Sequence, residues 1–149
     1  MNCDRIAENL LVGSSPLDEG EIESLRSLGI TAILSLQTEE DVGKDSIEWE
    51  QRAASATNLT FRNVPVNDFD KADLRRKLPQ CVHALDEMLK AGHVVYMHCT
   101  AGVSRSPTVA AGYLHWCLAW PLQKALAHIC DARDCSPDAE AIQNATRPK

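Results

Sequence analysis

The 149-residue chain contains no apolar run of the roughly 20 residues needed to span a bilayer, so neither a membrane helix nor a membrane partner is expected. It also lacks an excess of positive charge. Its 15 Lys and Arg against 21 Asp and Glu give a net charge of -6, which argues against a nucleic-acid partner and requires any anion site to be built locally. Repeats, low-complexity tracts and long linkers are absent. A chain of this length buries roughly two thirds of its unfolded surface without a disulfide or metal to staple it, so a single domain over 1–149 is expected. Cys130 and Cys135 come closest to a pair, but no CxxC or histidine partner at metal-ligand spacing accompanies them. The six cysteines therefore read as reduced thiols, with no metal site. With no secretory leader in view, the expected location is intracellular, either the cytoplasm or a plastid after loss of a transit segment. Aromatic residues are few, at three Trp, two Tyr and two Phe, which makes their placement more informative than their number.

What is present alternates between two periodicities. The stretch from Arg5 to Ser14 reads as a short strand or hairpin, and Ile22, Leu25 and Leu28 recur at helical spacing until Gly29 closes that helix. Ile30 to Leu36 is a nearly continuous apolar run, the mark of a strand covered on both faces. A helix around Ile47 to Thr57 leads to a strand over Leu59 to Val66 and a loop over Asn67 to Lys71. Leu74, Leu78, Cys81, Val82, Leu85, Met88 and Leu89 line one helical face, within which Pro79 is expected to divide a short turn from a longer helix. Val94 to Cys99 predicts another buried strand and Ser106 to Leu118 another helix, while Pro121 and Pro137 each suit the first turn of one more. The expected fold is α/β, a central, mostly parallel sheet flanked by helices on both faces.

The segment HCTAGVSRSP, His98 to Pro107, sits where such a sheet binds ligands, beyond the carboxyl end of a central strand. Between Cys99 and Arg105 lie Thr100, Ala101, Gly102, Val103 and Ser104. These residues are small enough for the backbone to curl into a nest of inward N–H groups, with the following helix aiming its positive end at the same point. A phosphate dianion fits this nest, and the planar guanidinium of Arg105 is suited to grip two of its oxygens. The same field favours the thiolate form of a cysteine, which makes Cys99 the candidate nucleophile for a phosphocysteine route that calls for no metal and no cofactor. Ser106 is placed to hydrogen-bond the sulfur. His98 is a supporting residue, either tuning the thiolate or packing beneath the loop to orient it.

The departing alkoxide needs a proton from a carboxylic acid on another loop. VNDFD offers Asp68 and Asp70. Asp68 follows its strand more closely and is the preferred acid, although an Asp before a helix also serves as a cap and the two could exchange roles. One group that is protonated in the first step and ionised in the second produces a bell-shaped pH profile.

The pattern H-C-x-x-G-x-x-R-S resembles the signature of the cysteine-dependent protein tyrosine phosphatases, and its AGVSRSP form is similar to the dual-specificity branch, with a likeness running from about Asn9 to Thr146. A narrower likeness lies in NDFDKADLRRKLPQCV, HCTAG, GYLHW and CSPDAEAIQNAT, which together resemble the glucan phosphatases, the laforin and plant starch phosphatase group. That resemblance implies a phosphorylated glucan substrate, the acid role at Asp68, and a sugar channel to which Phe69 contributes. Phe69, Tyr113, Trp116 and Trp120 are the aromatic candidates for stacking on sugar, with Phe69 and Trp116 taken as substrate contacts. Trp116 and Tyr113 stand on an apolar helix face, where aromatics are usually core. Ser104 and Ser106 stand where the glucan group usually has Gly and often Ala, as they do in protein-directed members. A phosphoprotein is therefore the alternative substrate, and a phosphate-binding scaffold without turnover the non-enzymatic one.

Overall fold

The computed structural model describes residues 1–147; the last two positions of the expected 1–149 span lie outside them. A five-stranded sheet has the order β1-β2-β5-β3-β4. Its strands are β1 (Cys3–Ala7), β2 (Leu10–Gly13), β3 (Ala32–Ser35), β4 (Thr60–Asn63) and β5 (Val95–His98). β1 and β2 form an antiparallel hairpin, and every other pairing is parallel. The expected mostly parallel sheet is therefore present.

The pleat sends alternate side chains to opposite faces, and both faces are covered. Leu10, Val12, Ala32, Leu34, Val95 and Met97 pack against α4 (Lys71–Lys90), α5 (Arg105–Trp116), α6 (Leu122–Ala132) and α7 (Ala139–Asn144). Leu11, Ile33 and Tyr96 pack against α1 (Glu19–Ser27) and α3 (Lys44–Ala56). This alternation decides the site. Residue 98 falls toward α3, and residue 99 toward α5.

Two expectations change. A short helix, α2 (Glu39–Val42), precedes α3, started by a capping box between Thr38 and Asp41. α4 runs unbroken through Pro79. A proline inside a helix costs about 3 kcal/mol, but Leu74, Leu78, Cys81, Val82, Leu85, Met88 and Leu89 are all buried along this one face, and their burial outweighs that cost. The carbonyl that Pro79 leaves without its N–H belongs to Arg75, an exposed residue that water can reach. Pro121 occupies the N-cap position of α6 without a capping side-chain bond, and Pro137 lies just before Asp138, the cap of α7, so both sit immediately outside their helices rather than in the first turn. Among the described residues, no helix is long and apolar enough to cross a membrane.

Candidate active site

The parallel strands β3, β4 and β5 end on one edge of the sheet, and the segments leaving them meet there. β5 delivers the loop from Cys99 to Ser104, with α5 beginning at Arg105. Cys99 is recessed, only 3 % exposed, with its Sγ 3.2 Å from Ser106 Oγ.

The loop's backbone can be accounted for peptide by peptide. The carbonyl of Cys99 accepts from His98 Nδ1 (2.9 Å), and that of Thr100 from the Ser15 N–H (2.9 Å). The carbonyls of Ala101 and Gly102 accept from Arg133 at 2.9 and 2.7 Å, and that of Val103 from the Ser136 N–H at 2.8 Å. A trans peptide directs its N–H opposite to its C=O. Anchoring these five carbonyls on the outside therefore turns the N–H groups of Thr100 to Ser104 the other way, and none of the five donates to a protein acceptor among the described residues. Gly102 makes this curl possible with φ of +71°, and a Cβ there would lie 2.5 Å from the Gly13 carbonyl oxygen and 2.6 Å from Arg133 Nη2.

Arg105 is 3 % exposed and engages nearly all its donors. Nη1 donates to Asp41 Oδ2 at 2.7 Å and to the Val66 carbonyl at 2.9 Å. Nη2 donates to Thr100 Oγ1 at 3.3 Å and lies 3.4 Å from Asp68 Oδ2. Nε is the one buried side-chain nitrogen or oxygen among the described residues with no partner. Burial alone would raise the Asp41 carboxyl. The Thr38 backbone N–H and the Arg105 guanidinium outweigh that and hold it below the usual carboxylate range.

His98 is fully buried, with Nε2 2.6 Å from Glu50 Oε2 on α3. A carbonyl oxygen only accepts, so Nδ1 donates to Cys99 O, and Nε2 faces the Glu50 carboxyl. His98 therefore packs beneath the loop and orients it.

The acid candidates separate by role. Asp70 caps α4, its Oδ1 accepting from the Asp73 N–H at 3.0 Å, whereas Asp68 stands beside Arg105. Asp73 in turn accepts from the Asn67 N–H at 2.8 Å and pairs with Arg76 and Lys77. Desolvation pushes its carboxyl up, but the Asn67 N–H and these two cations prevail and lower it. The entrance and exit of the Asn67–Asp70 loop are both tied down. Its tip, Phe69, has φ of +56° and is fully exposed.

Phe69, Asp68, Lys71, Ser104, Arg105 and the segment from Ser136 to Glu140 line a cleft of about 520 Å³. Trp116 does not reach it. Placed as a candidate substrate contact, it lies instead at the far end of α5 from Arg105 and is buried in the core, because the apolar face of that helix packs on the sheet. Tyr113 is buried on the same helix, and Trp120 packs beside that core with Lys124 Nζ over its ring. Three participants escaped sequence reading. Glu50 left a faint signal as a charge among Ala53 and Ala54 on a buried helix face, Asp41 only a capping pattern, and Arg133 none.

Comparison with known proteins gives the family and the fold. The family described as "Dual specificity phosphatase, catalytic domain" matches residues 12–144. The chain is 36 % identical over 148 residues to the phosphoglucan phosphatase LSF1, chloroplastic, of Arabidopsis thaliana, covering 98 % of this chain and 25 % of that protein. It is 33 % identical over 137 residues to laforin of Mus musculus, covering 83 % and 42 %. The chain thus spans less than half the length of either relative. Among solved structures, Tk-PTP in its active form superposes with a TM-score of 0.73 at 20 % identity, covering 95 % of this chain and 90 % of that one, a likeness of fold.

Proposed function

Because the chain belongs to the dual specificity phosphatase catalytic-domain family, we propose that it is a cysteine-dependent phosphomonoesterase whose substrate is a phosphorylated glucan of the starch or glycogen type. The observation that supports this most is the loop in which five outward carbonyls are bonded and five N–H groups are free to meet an anion, with Cys99 at one end and the unpartnered Nε of Arg105 at the other.

In the proposed reaction the Cys99 sulfur attacks phosphorus, forming a P–S bond as the P–O bond to the sugar breaks. Asp68 gives its proton to the departing oxygen. The loop N–H groups and the edge of Arg105 carrying Nε and Nη2 hold the equatorial oxygens, with Asp41 and the Val66 carbonyl fixing the guanidinium from behind. Ionised Asp68 then takes a proton from water, whose oxygen attacks phosphorus. The P–S bond breaks, inorganic phosphate leaves, and Ser106 Oγ donates to the departing sulfur.

Two features favour a glucan over a peptide. The relatives named above as phosphoglucan phosphatase and laforin align over most of this chain, and Phe69 stands fully exposed at the cleft rim, suited to stacking on a sugar face. The Arabidopsis relative is named chloroplastic, which makes the plastid the first compartment to examine. The test compares phosphate release from amylopectin or glycogen with release from phosphotyrosine, phosphoserine and phosphothreonine peptides, at matched aryl-phosphate activity. Faster release from glucan is expected. Equal or faster release from peptides would make a phosphoprotein the substrate, and phosphate binding without any release would make the chain a scaffold.

A further inference from the structure

We infer that Arg133, at the carboxyl end of α6, is a positioning residue for the phosphate loop. It acts by locking the orientation of two of the five peptides that face the anion, and this assignment rests on the phosphatase reading above.

Arg133 lies far in sequence from the loop and is 6 % exposed. Its guanidinium makes four directed bonds. Nε donates to the Gly102 carbonyl at 2.7 Å and Nη2 to the Ala101 carbonyl at 2.9 Å. On its other side Nη1 meets Asp4 Oδ2 at 2.9 Å, and Nη2 meets Asn2 Oδ1 at 2.6 Å. The Ala101 carbonyl shares its peptide plane with the Gly102 N–H, and the Gly102 carbonyl shares its plane with the Val103 N–H. Holding both oxygens outward therefore holds both N–H groups inward.

Such a hold is needed because parallel N–H dipoles converging on one point repel each other. A positive charge at the oxygen end of those peptides offsets the repulsion, and its field adds to that of the nest toward an approaching anion. A planar fork suits two successive carbonyls, whereas a lysine ammonium is a single point donor on a flexible stem. The other three loop carbonyls are held locally or by backbone, through His98, Ser15 and Ser136. Only the middle pair depends on a remote side chain. Gly102 permits the close approach, since a Cβ there would fall 2.6 Å from Nη2.

The experiment uses the full chain with an aryl phosphate. It measures kcat, KM and inhibition by inorganic phosphate for wild type, Arg133→Ala, Arg133→Lys and Asp4→Asn, each normalised to the folded fraction by circular dichroism. Arg133→Ala is expected to weaken phosphate inhibition and lower kcat/KM by about ten- to a hundredfold, the scale set by small misplacement of catalytic donors. Lys is expected to restore little, methylguanidine added to Arg133→Ala to restore part, and Asp4→Asn to shift the same constants in the same direction by less. If the folded fraction falls but phosphate inhibition and kcat/KM per folded molecule stay at wild-type values, Arg133 is merely structural and the inference is wrong. Should Arg133→Ala not fold, Arg133→Lys and Asp4→Asn carry the test, and unchanged constants in both would overturn it. A wild-type protein without aryl phosphatase activity would instead defeat the phosphatase reading itself.

Discussion

The two loops that meet at the carboxyl edge of the sheet are built on opposite plans. In the loop after β5 every carbonyl from Cys99 to Val103 is bonded from outside, whereas the loop after β4 is tied at its ends and open at its tip. Phe69 at that tip occupies the left-handed region, which costs a non-glycine residue on the order of 1 kcal/mol, and its ring is entirely exposed. The Asp68 carboxylate offsets part of that cost by accepting the Phe69 N–H at 3.1 Å. The difference teaches where precision is needed. Charge that develops at phosphorus is best met by donors that cannot relax, whereas the proposed sugar contact calls only for an exposed ring at the cleft rim.

Four changes would break or sharpen this contrast. Cys99→Ser should remove turnover by at least about 10⁴-fold, since the proposed nucleophile is lost, while inorganic phosphate still binds; phosphate release and equilibrium binding read the two separately. Asp68→Ala should slow release of alkyl leaving groups by about 10²-fold and of nitrophenol far less, measured as kcat across a leaving-group series. Phe69→Ala should raise KM for amylopectin by roughly tenfold, the loss of about one stacking contact, and leave aryl-phosphate kinetics unchanged. Trp116→Ala makes the opposite pattern: it should cost about 3 kcal/mol of stability in a denaturant titration and alter neither KM once folded.

The smallest effect concerns pH. Asp73 has its carboxyl lowered in the folded protein, so its contribution to stability is fully present above the ordinary carboxylate range and fades as pH falls through the lowered folded value. The stability lost on Asp73→Asn should therefore be largest near neutral pH and disappear in strong acid, measured by denaturant unfolding at both. A deficit that is the same at both pH values would mean that the Asn67 anchor does not depend on the Asp73 charge.

Reading the chain alone reaches most of the architecture because its signals are local. Val95 to Met97 and Ala32 to Leu34 are apolar without interruption, as strands covered on both faces must be, and the Cys99–Arg105 segment carries its small residues and glycine in sequence order. Where local rules misled, packing had overruled them. Pro79 stays inside α4 because the helix buries a long apolar face, whereas Trp116 follows the local rule and lies in the core, as an aromatic on an apolar helix face does.

The sequence by itself determined the alternation of strands and helices and the presence of a candidate nucleophile, an arginine and a candidate acid on the segments that leave the strands, since each depends on neighbours in the chain. Which way each of those groups faces was decided only by tertiary structure. The pleat turns His98 to Glu50 and Cys99 to Ser106, and Arg133 arrives at the loop from α6. Hydrogen bonds between residues distant in the chain have no local signature, and the inward turn of the loop's amides is set by such bonds as well as by glycine.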